Sequence, residues 1–342
     1  MLSGKFPDDQ RSHAMADNAN RASPSSGRKA ARRMRLQPRD VAMLHSLSCA
    51  RYLTACALEW LHFDTWRVRY RALAEQQATD TYQASSNLYH HMAGLQAAGL
   101  VARLGRTFES GTLSFRRQAD AYALTSAGAE LLADQRGCDI ETLWYEEHRQ
   151  KAIQNFEHRV AIGVFYAALR AELEYRHLEI SGWQGDHLLA RNAYDRVPIA
   201  GQREPEPVLP DATFLLNNER FFVEIDRGTR PLRSWQEKVR AYEAYQGHHL
   251  LAARYATDCF RVLIVAPTLS RVRRIAEEVV KVTRDVSLRY LLMVEERVHP
   301  TMIRRGWLGV DAVQWEPKQV VDRVVLMPAV TLGQRTLWEN AA

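Results

Sequence analysis

The stretch Pro210-Asp211-Ala212-Thr213-Phe214-Leu215-Leu216-Asn217-Asn218-Glu219-Arg220-Phe221-Phe222-Val223-Glu224-Ile225-Asp226 decides what kind of protein this chain is. Two runs rich in aliphatic and aromatic residues flank an Asn-Asn pair, and Asn tolerates the left-handed backbone that tight hairpin turns demand. The pattern predicts two antiparallel strands, 212–216 and 220–225, joined through Asn217-Asn218. Side chains alternate along a strand, so Glu224 and Asp226 share a face, and the turn brings them back toward Asp211. Carboxylates that meet at one point repel, and a hard divalent cation, Mg²⁺ or Mn²⁺, compensates them through oxygen ligands. Asp211, Glu224 and Asp226 are therefore the candidate metal ligands and catalytic carboxylates. Such an ion activates water and neutralises charge that develops on a phosphoryl group. Lys238, in the helical pattern that follows, is placed to orient that water or steady the charge as a compact point cation. A second reading of the same residues is structural: Asp211 is a turn residue, Glu224 and Asp226 pair with Arg227 or Arg230, and Lys238 is a solvated helix charge.

The flanks extend the hairpin into a mixed sheet covered by helices. Residues 232–246 and 270–283 read as helices, and 261–266 and 288–294 as strands. Upstream, residues 146–175 place Phe156, Val160, Val164, Leu169 and Leu173 in a long helical pattern, and irregular or strand-like segments fill the chain up to Pro210. Trp235, Tyr242 and Tyr245 recur near helical spacing, which is a core signature. The adjacent pair His248-His249 diverges in direction at a helix end and makes a poor metal site.

The first half has another character. Pro38 opens a helix carrying Val41, Leu44 and Leu47, and Thr54 caps a short second helix with Leu58 and Leu61. A third helix, expected over residues 81–98, sets Leu88, Met92 and Leu95 on one face and Gln83, Ser86, Asn87 and His90 on the other. These small or hydrogen-bonding side chains suit base edges and phosphates. A basic hairpin, 100–108 and 112–115 across Glu109-Ser110-Gly111, would bring Arg103, Arg106, Arg116 and Arg117 alongside them. That order of helices and hairpin is similar to the winged helix-turn-helix of bacterial proteins, over about residues 36–134. Double-stranded DNA is the partner this implies, with a solvated polar face as the plainer alternative.

Charge and composition fit this division. Residues 1–39 carry nine Lys/Arg against three Asp, a net +6 that equals the formal charge of all 342 residues. With a polar, Ser/Asn/Gly-rich composition, residues 1–35 read as a disordered basic arm able to neutralise phosphates, or as a mere solubilising leader. The body has 46% hydrophobic residues in the whole-chain count, enough for real cores. No apolar run has the length of a membrane span and no secretory signal opens the chain, so a cytoplasmic protein that does not engage membranes is expected. Cys49, Cys56, Cys138 and Cys259 form no C-x-x-C pair and read as small buried hydrophobes.

At the hairpin the chain resembles the PD-(D/E)xK nuclease superfamily, through Pro210-Asp211 and Glu224, and His158 on the preceding helix resembles the helical histidine of some of its branches. The resemblance implies a catalytic role for His158. The pattern's lysine is replaced by Asp226, followed by Arg227, so the resemblance requires Lys238 to be a migrated lysine. Together with Glu224-Ile225-Asp226-Arg227-Gly228-Thr229 and Lys238-Val239-Arg240-Ala241-Tyr242, the N-terminal helices also make the chain look like the replication-relaxation family of bacterial mobile elements.

The expected fold class is α/β (α+β), with a winged helix over 36–134 and a nuclease-like mixed-sheet domain over 140–330. The expected function is a DNA-binding protein of plasmid replication or mobilisation, with a metal-dependent endonuclease domain. The alternative is a non-catalytic DNA-binding regulator or mobilisation accessory factor whose degenerate nuclease-like domain dimerises. A homodimer and other mobilisation or replication proteins are the partners these readings imply.

Overall fold

The computed structural model describes residues 35–63, 84–106, 120–146, 155–191, 194–257, 259–283, 289–300, 303 and 307–309. Gln83, Arg116, Arg117, the 112–115 strand, and almost all of the arm lie outside these residues, as does the side chain of Arg106.

The fold is a mixed α+β arrangement. Helix α1 (Pro38–Ala50) starts at Pro38, where a missing N–H costs nothing, and the carboxylate of Asp40 accepts the Gln37 N–H at 2.8 Å. After β1 (Leu53–Thr54), the Thr54 hydroxyl accepts the Ala57 N–H at 3.2 Å and caps α2 (Ala55–His62). Helix α3 (Ser86–Ala97) begins later than the periodicity suggested. Ser85 caps it and gives its own N–H to the buried carboxylate of Glu59, so Ala84 and Ser85 lie before the helix, while residues 81–83 fall outside the described residues. Strand β2 (Val101–Arg106) pairs antiparallel with β3 (Asp120–Leu124), which in turn pairs with β1. Among the described residues the partner of β2 is 120–124, whose five residues are all buried, and the expected 112–115 strand lies outside them. Helix α4 (Ser126–Arg136) closes this lobe and ends at Gly137 in the left-handed conformation.

Helix α5 (Phe156–Tyr175) leads into β4 (Ser181–Gly185), α6 (Asp186–Arg191) and the small β5–β6 pair (Arg196–Val197, Glu206–Pro207). The predicted hairpin follows as β7 (Ala212–Leu216) and β8 (Glu219–Ile225). Its turn residues Asn217 and Asn218 have φ of 50° and 62°, the geometry that motivated the prediction. Then come α7 (Ser234–Gly247), α8 (Leu250–Tyr255), β9 (Phe260–Ala266), α9 (Leu269–Val280), β10 (Tyr290–Val294) and β11 (Leu308–Gly309). The six strands lie in the order β11-β10-β9-β8-β7-β4, with β8, β9 and β10 mutually parallel and the others antiparallel.

Alternation along β8 sorts its residues between two cores. Phe221, Val223 and Ile225 pack on the α5 side, whereas Phe222 packs with Trp235, Val239 and Tyr242 of α7 and Val272 and Ile275 of α9. The α5-side core does not stop at the expected 134–139 boundary. It runs unbroken from Met43, Leu58 and Leu88 through Val160 and Phe165 to Val223 and Trp307. Gly163 of α5 marks the closest approach, since a Cβ there would lie 2.0 Å from the Tyr52 carbonyl oxygen. Polar contacts tie the same seam: the Tyr52 hydroxyl donates to Glu146 at 2.6 Å, and Asp186 meets Arg51 at 3.3 Å and Arg159 at 3.6 Å. Among the described residues no helix is long and apolar enough to cross a membrane.

Candidate functional site

The carboxyl end of β8 opens into a cleft of about 450 Å³, bordered by the first turn of α5, the 226–234 segment and the first turns of α7. An end of parallel strands is where open α/β sheets leave room for ligands, because the helices cover only the faces. His158, Asp211, Glu224, Asp226 and Lys238 all line this cleft, although they come from four different parts of the chain.

Asp211 is held from three directions. Its N–H donates to the Val223 carbonyl at 2.9 Å, its Oδ2 accepts the Ile225 N–H at 2.7 Å, and its Oδ1 lies 2.9 Å from His158 Nε2. An ionised carboxylate only accepts, so His158 Nε2 carries the proton of that bond. Burial pushes the Asp211 carboxyl upward, but the hydrogen bond and charge of His158, with Lys238 and the Ile225 N–H, bring it below its ordinary value. For His158, burial opposes the charge, while the bond to Asp211 and the negative charges of Asp211, Glu224 and Asp186 raise its pKa above the usual value.

Glu224 is 2% exposed, and burial raises its pKa; Lys238 pulls it down, and Asp211 pushes it up again. Its Oε2 is paired with Lys238 Nζ, and its Oε1 accepts the Tyr242 hydroxyl at 2.7 Å. Lys238 and Tyr242 sit four residues apart on α7, so one face of that helix delivers both donors. The two carboxyls of the cleft are thereby pushed in opposite directions, the arrangement that separates acid from base roles in paired sites.

Asp226 has a different attachment. Both its oxygens are taken by Arg271 of α9, at 2.7 and 3.2 Å, so the expected constellation of three carboxylates contracts to Asp211 and Glu224. Among the described residues, no group of three or more His, Cys, Asp or Glu stands ready to hold a metal ion. Arg227 pairs with Glu295 and lies 3.5 Å from Glu157, and so does not take the place of a motif lysine. Tyr242 and Arg271 were not singled out from the sequence as polar partners. Tyr242 looked like core from its spacing, and Arg271 lies 45 residues from Asp226 on another element.

On α3, Ser86, Asn87 and His90 are exposed opposite the buried Leu88, Met92 and Leu95. Tyr89 joins them at 41% exposure, an aromatic that the apolar-stripe reading passed over. Arg103 on β2 pairs with Asp120 of β3 at 2.7 Å. His248 Nε2 lies 3.3 Å from the Pro198 carbonyl, and His249 takes a left-handed φ of 56° before α8, so the two do not form a common site. Cys49, Cys56, Cys138 and Cys259 are free thiols.

No curated protein and no solved structure matches this chain. The match to the replication-relaxation family covers residues 44–258, from α1 of the front lobe through the hairpin and past Lys238 to the edge of β9. The chain belongs to the replication-relaxation family.

Proposed function

We propose that this protein acts in replication or mobilisation of a mobile element, binding duplex DNA through its front lobe and hydrolysing a phosphodiester bond in the cleft at the end of β8. The observation that carries this reading is the convergence of Asp211, Glu224, Lys238 and His158 on one cleft, with two buried carboxylates shifted in opposite directions and a lysine supplied by α7. What supports a winged helix in the front lobe is the order of three helices and a three-stranded sheet β1-β3-β2, with the polar face of α3 exposed.

The donor set fits a hard divalent cation. Mg²⁺ is commonly held by one or two carboxylates, with water and substrate phosphate oxygens filling the rest, so Asp211 and Glu224 suffice without Asp226. When bound, such an ion supplies Lewis-acid stabilisation of the phosphoryl group and a more acidic water. Lys238, which borders the cleft, would offer its charge to the substrate's phosphoryl oxygens. His158 fixes Asp211 through Nε2, and against the effect of burial that bond with the neighbouring negative charges raises its pKa, so it keeps its proton more firmly than a free imidazole and can serve proton transfer. Tyr242 keeps Glu224 directed at the cleft through its hydroxyl.

Plasmid nicking with Mg²⁺ or Mn²⁺ tests the reading, with wild type beside an Asp211→Ala, Glu224→Ala double variant. A metal site worth several kcal/mol predicts a loss of about a hundredfold or more in the variant. Equal nicking by the two proteins, or none by either, refutes hydrolysis at this cleft. The engagement of Asp226 by Arg271 favours the second reading, a non-catalytic DNA-binding accessory factor, and that reading predicts DNA binding without nicking.

A further inference from the structure

Among the described residues, four cationic or protonatable side chains border the cleft: His158, Arg227, Arg230 and Lys238. Three are answered by acids of the chain itself, His158 by Asp211, Lys238 by Glu224, and Arg227 by Glu295 and Glu157. Arg230 differs. It is exposed, and among the described residues its guanidinium has neither an ion pair nor a hydrogen bond.

The backbone beneath that free head is fixed. Arg271 Nη2 donates to the Arg230 carbonyl at 2.6 Å, and the same guanidinium grips Asp226 through Nε and Nη2. Asp226 is in turn tied to β9, its N–H donating to the Val265 carbonyl at 2.7 Å. Between them Gly228, at φ +76°, makes the turn that a side chain would strain. On the other flank the Pro231 carbonyl accepts the Ser234 hydroxyl at 2.7 Å. An arginine with a pinned root and an unengaged planar fork at a cleft mouth has lost backbone freedom before any ligand arrives, which lowers the entropy cost of meeting one.

We propose that Arg230 binds a non-scissile phosphate of the DNA strand seated in the cleft, and that Asp226 and Arg271 are the strut that sets its position. The inference rests on the phosphodiesterase reading of the same cleft. Its chemistry follows from the charge inventory: among the described residues bordering the cleft Arg230 is the cation left unanswered, an unpaired guanidinium favours an anionic ligand, and its fork matches phosphate oxygens two at a time. It also gives a physical role to the departure of the sequence from the lysine of the nuclease pattern. Asp226 anchors a cation on α9 and so builds the loop, while the lysine arrives from α7. A phosphate contact of this kind positions the strand and reads no sequence.

The test compares full-length wild type, Arg230→Ala, Arg230→Lys and Arg271→Ala for binding of a short duplex of arbitrary sequence in EDTA, titrated with salt. Arg230→Ala should lower the salt slope by about one unit for every sequence, and Arg230→Lys should retain the slope. In nicking assays KM should rise about tenfold with kcat little changed, as expected for a contact worth roughly 1.4 kcal/mol made equally in ground and transition states. Arg271→Ala should show a smaller binding defect, and adding it to Arg230→Ala should deepen the Arg230→Ala defect no further, because both act on one contact. Arg230 is exposed, so its thermal unfolding curve should match wild type. An unchanged salt slope in Arg230→Ala overturns the proposal. An Arg230-dependent slope in a protein that never nicks upholds the phosphate contact and refutes only hydrolysis, which the Asp211→Ala, Glu224→Ala comparison tests separately.

Discussion

Replacing Lys238 with Met removes a charge and keeps most of the stem, and the consequence is a pH-dependent loss of stability. The partner carboxylate of Glu224 has 3% of its side chain exposed, and Lys238 has 24%. Without the lysine, Glu224 keeps only the Tyr242 hydroxyl, and Asp211 still repels it, so its already raised pKa rises further. A carboxyl with a folded pKa above its unfolded value of about 4.3 holds more protons folded than unfolded across that interval. Stability therefore falls as pH rises through the interval and stays low above it. Removing one partner of a buried pair costs about 3–5 kcal/mol, and the lysine's access to the cleft places this case near 3. Below the interval Glu224 is protonated in both states, and the deficit should shrink to less than about 1 kcal/mol. Urea unfolding of both proteins at about pH 8 and about pH 4 reads the difference directly through the midpoint, if the slope is unchanged. A deficit equal at the two pH values would mean that loss of the Lys238 Nζ contact with the Trp235 ring, 5.9 Å from its centroid, dominates, and no deficit at either would mean that the pair contributes nothing.

Two further outcomes follow from the front lobe and its seam. Gly163→Ala puts a methyl group 2.0 Å from the Tyr52 carbonyl, so α5 must move off β1; a loss of about 3 kcal/mol or more in unfolding free energy is expected, and a loss within about 0.5 kcal/mol would refute the close contact. In gel shifts at low salt, Asn87→Ala and His90→Ala should change the ranking of DNA sequences by about 1–3 kcal/mol per lost base contact, whereas Arg103→Ala should weaken all sequences alike; an unchanged ranking removes α3 as the reading element.

The parts of the fold that sequence revealed are those where local chemistry and periodicity agree. Pro38, Thr54 and Asn217-Asn218 each announce an element through a backbone requirement of their own, and all three elements form as read. The convergence of Asp211 with Glu224 was legible because a hairpin is a local structure, and these two residues, 13 apart in the chain, sit next to the register pair Ala212↔Val223. The capture of Asp226 was not, because Arg271 reaches it from α9 across β9, and only tertiary packing brings them together. Strand 120–124 was missed for a related reason. Its partner β2 lies across a stretch whose turn signal at Glu109-Ser110-Gly111 suggested a shorter hairpin, and the spacing alone does not weigh one pairing against another. Tyr242 shows a further limit, since helical spacing reports that a side chain is buried and is silent about what its hydroxyl meets.

Among the described residues one apolar core runs from Leu88 on α3 through α5 to Val223 beside the cleft, so the two lobes share their packing. Under the proposed function this makes the protein a ruler. DNA seated on the exposed face of α3 presents its backbone to the cleft at an offset fixed by side-chain packing, so the position of a cut would be dictated by distance from the recognised sequence, whatever bases happen to lie at the cut itself.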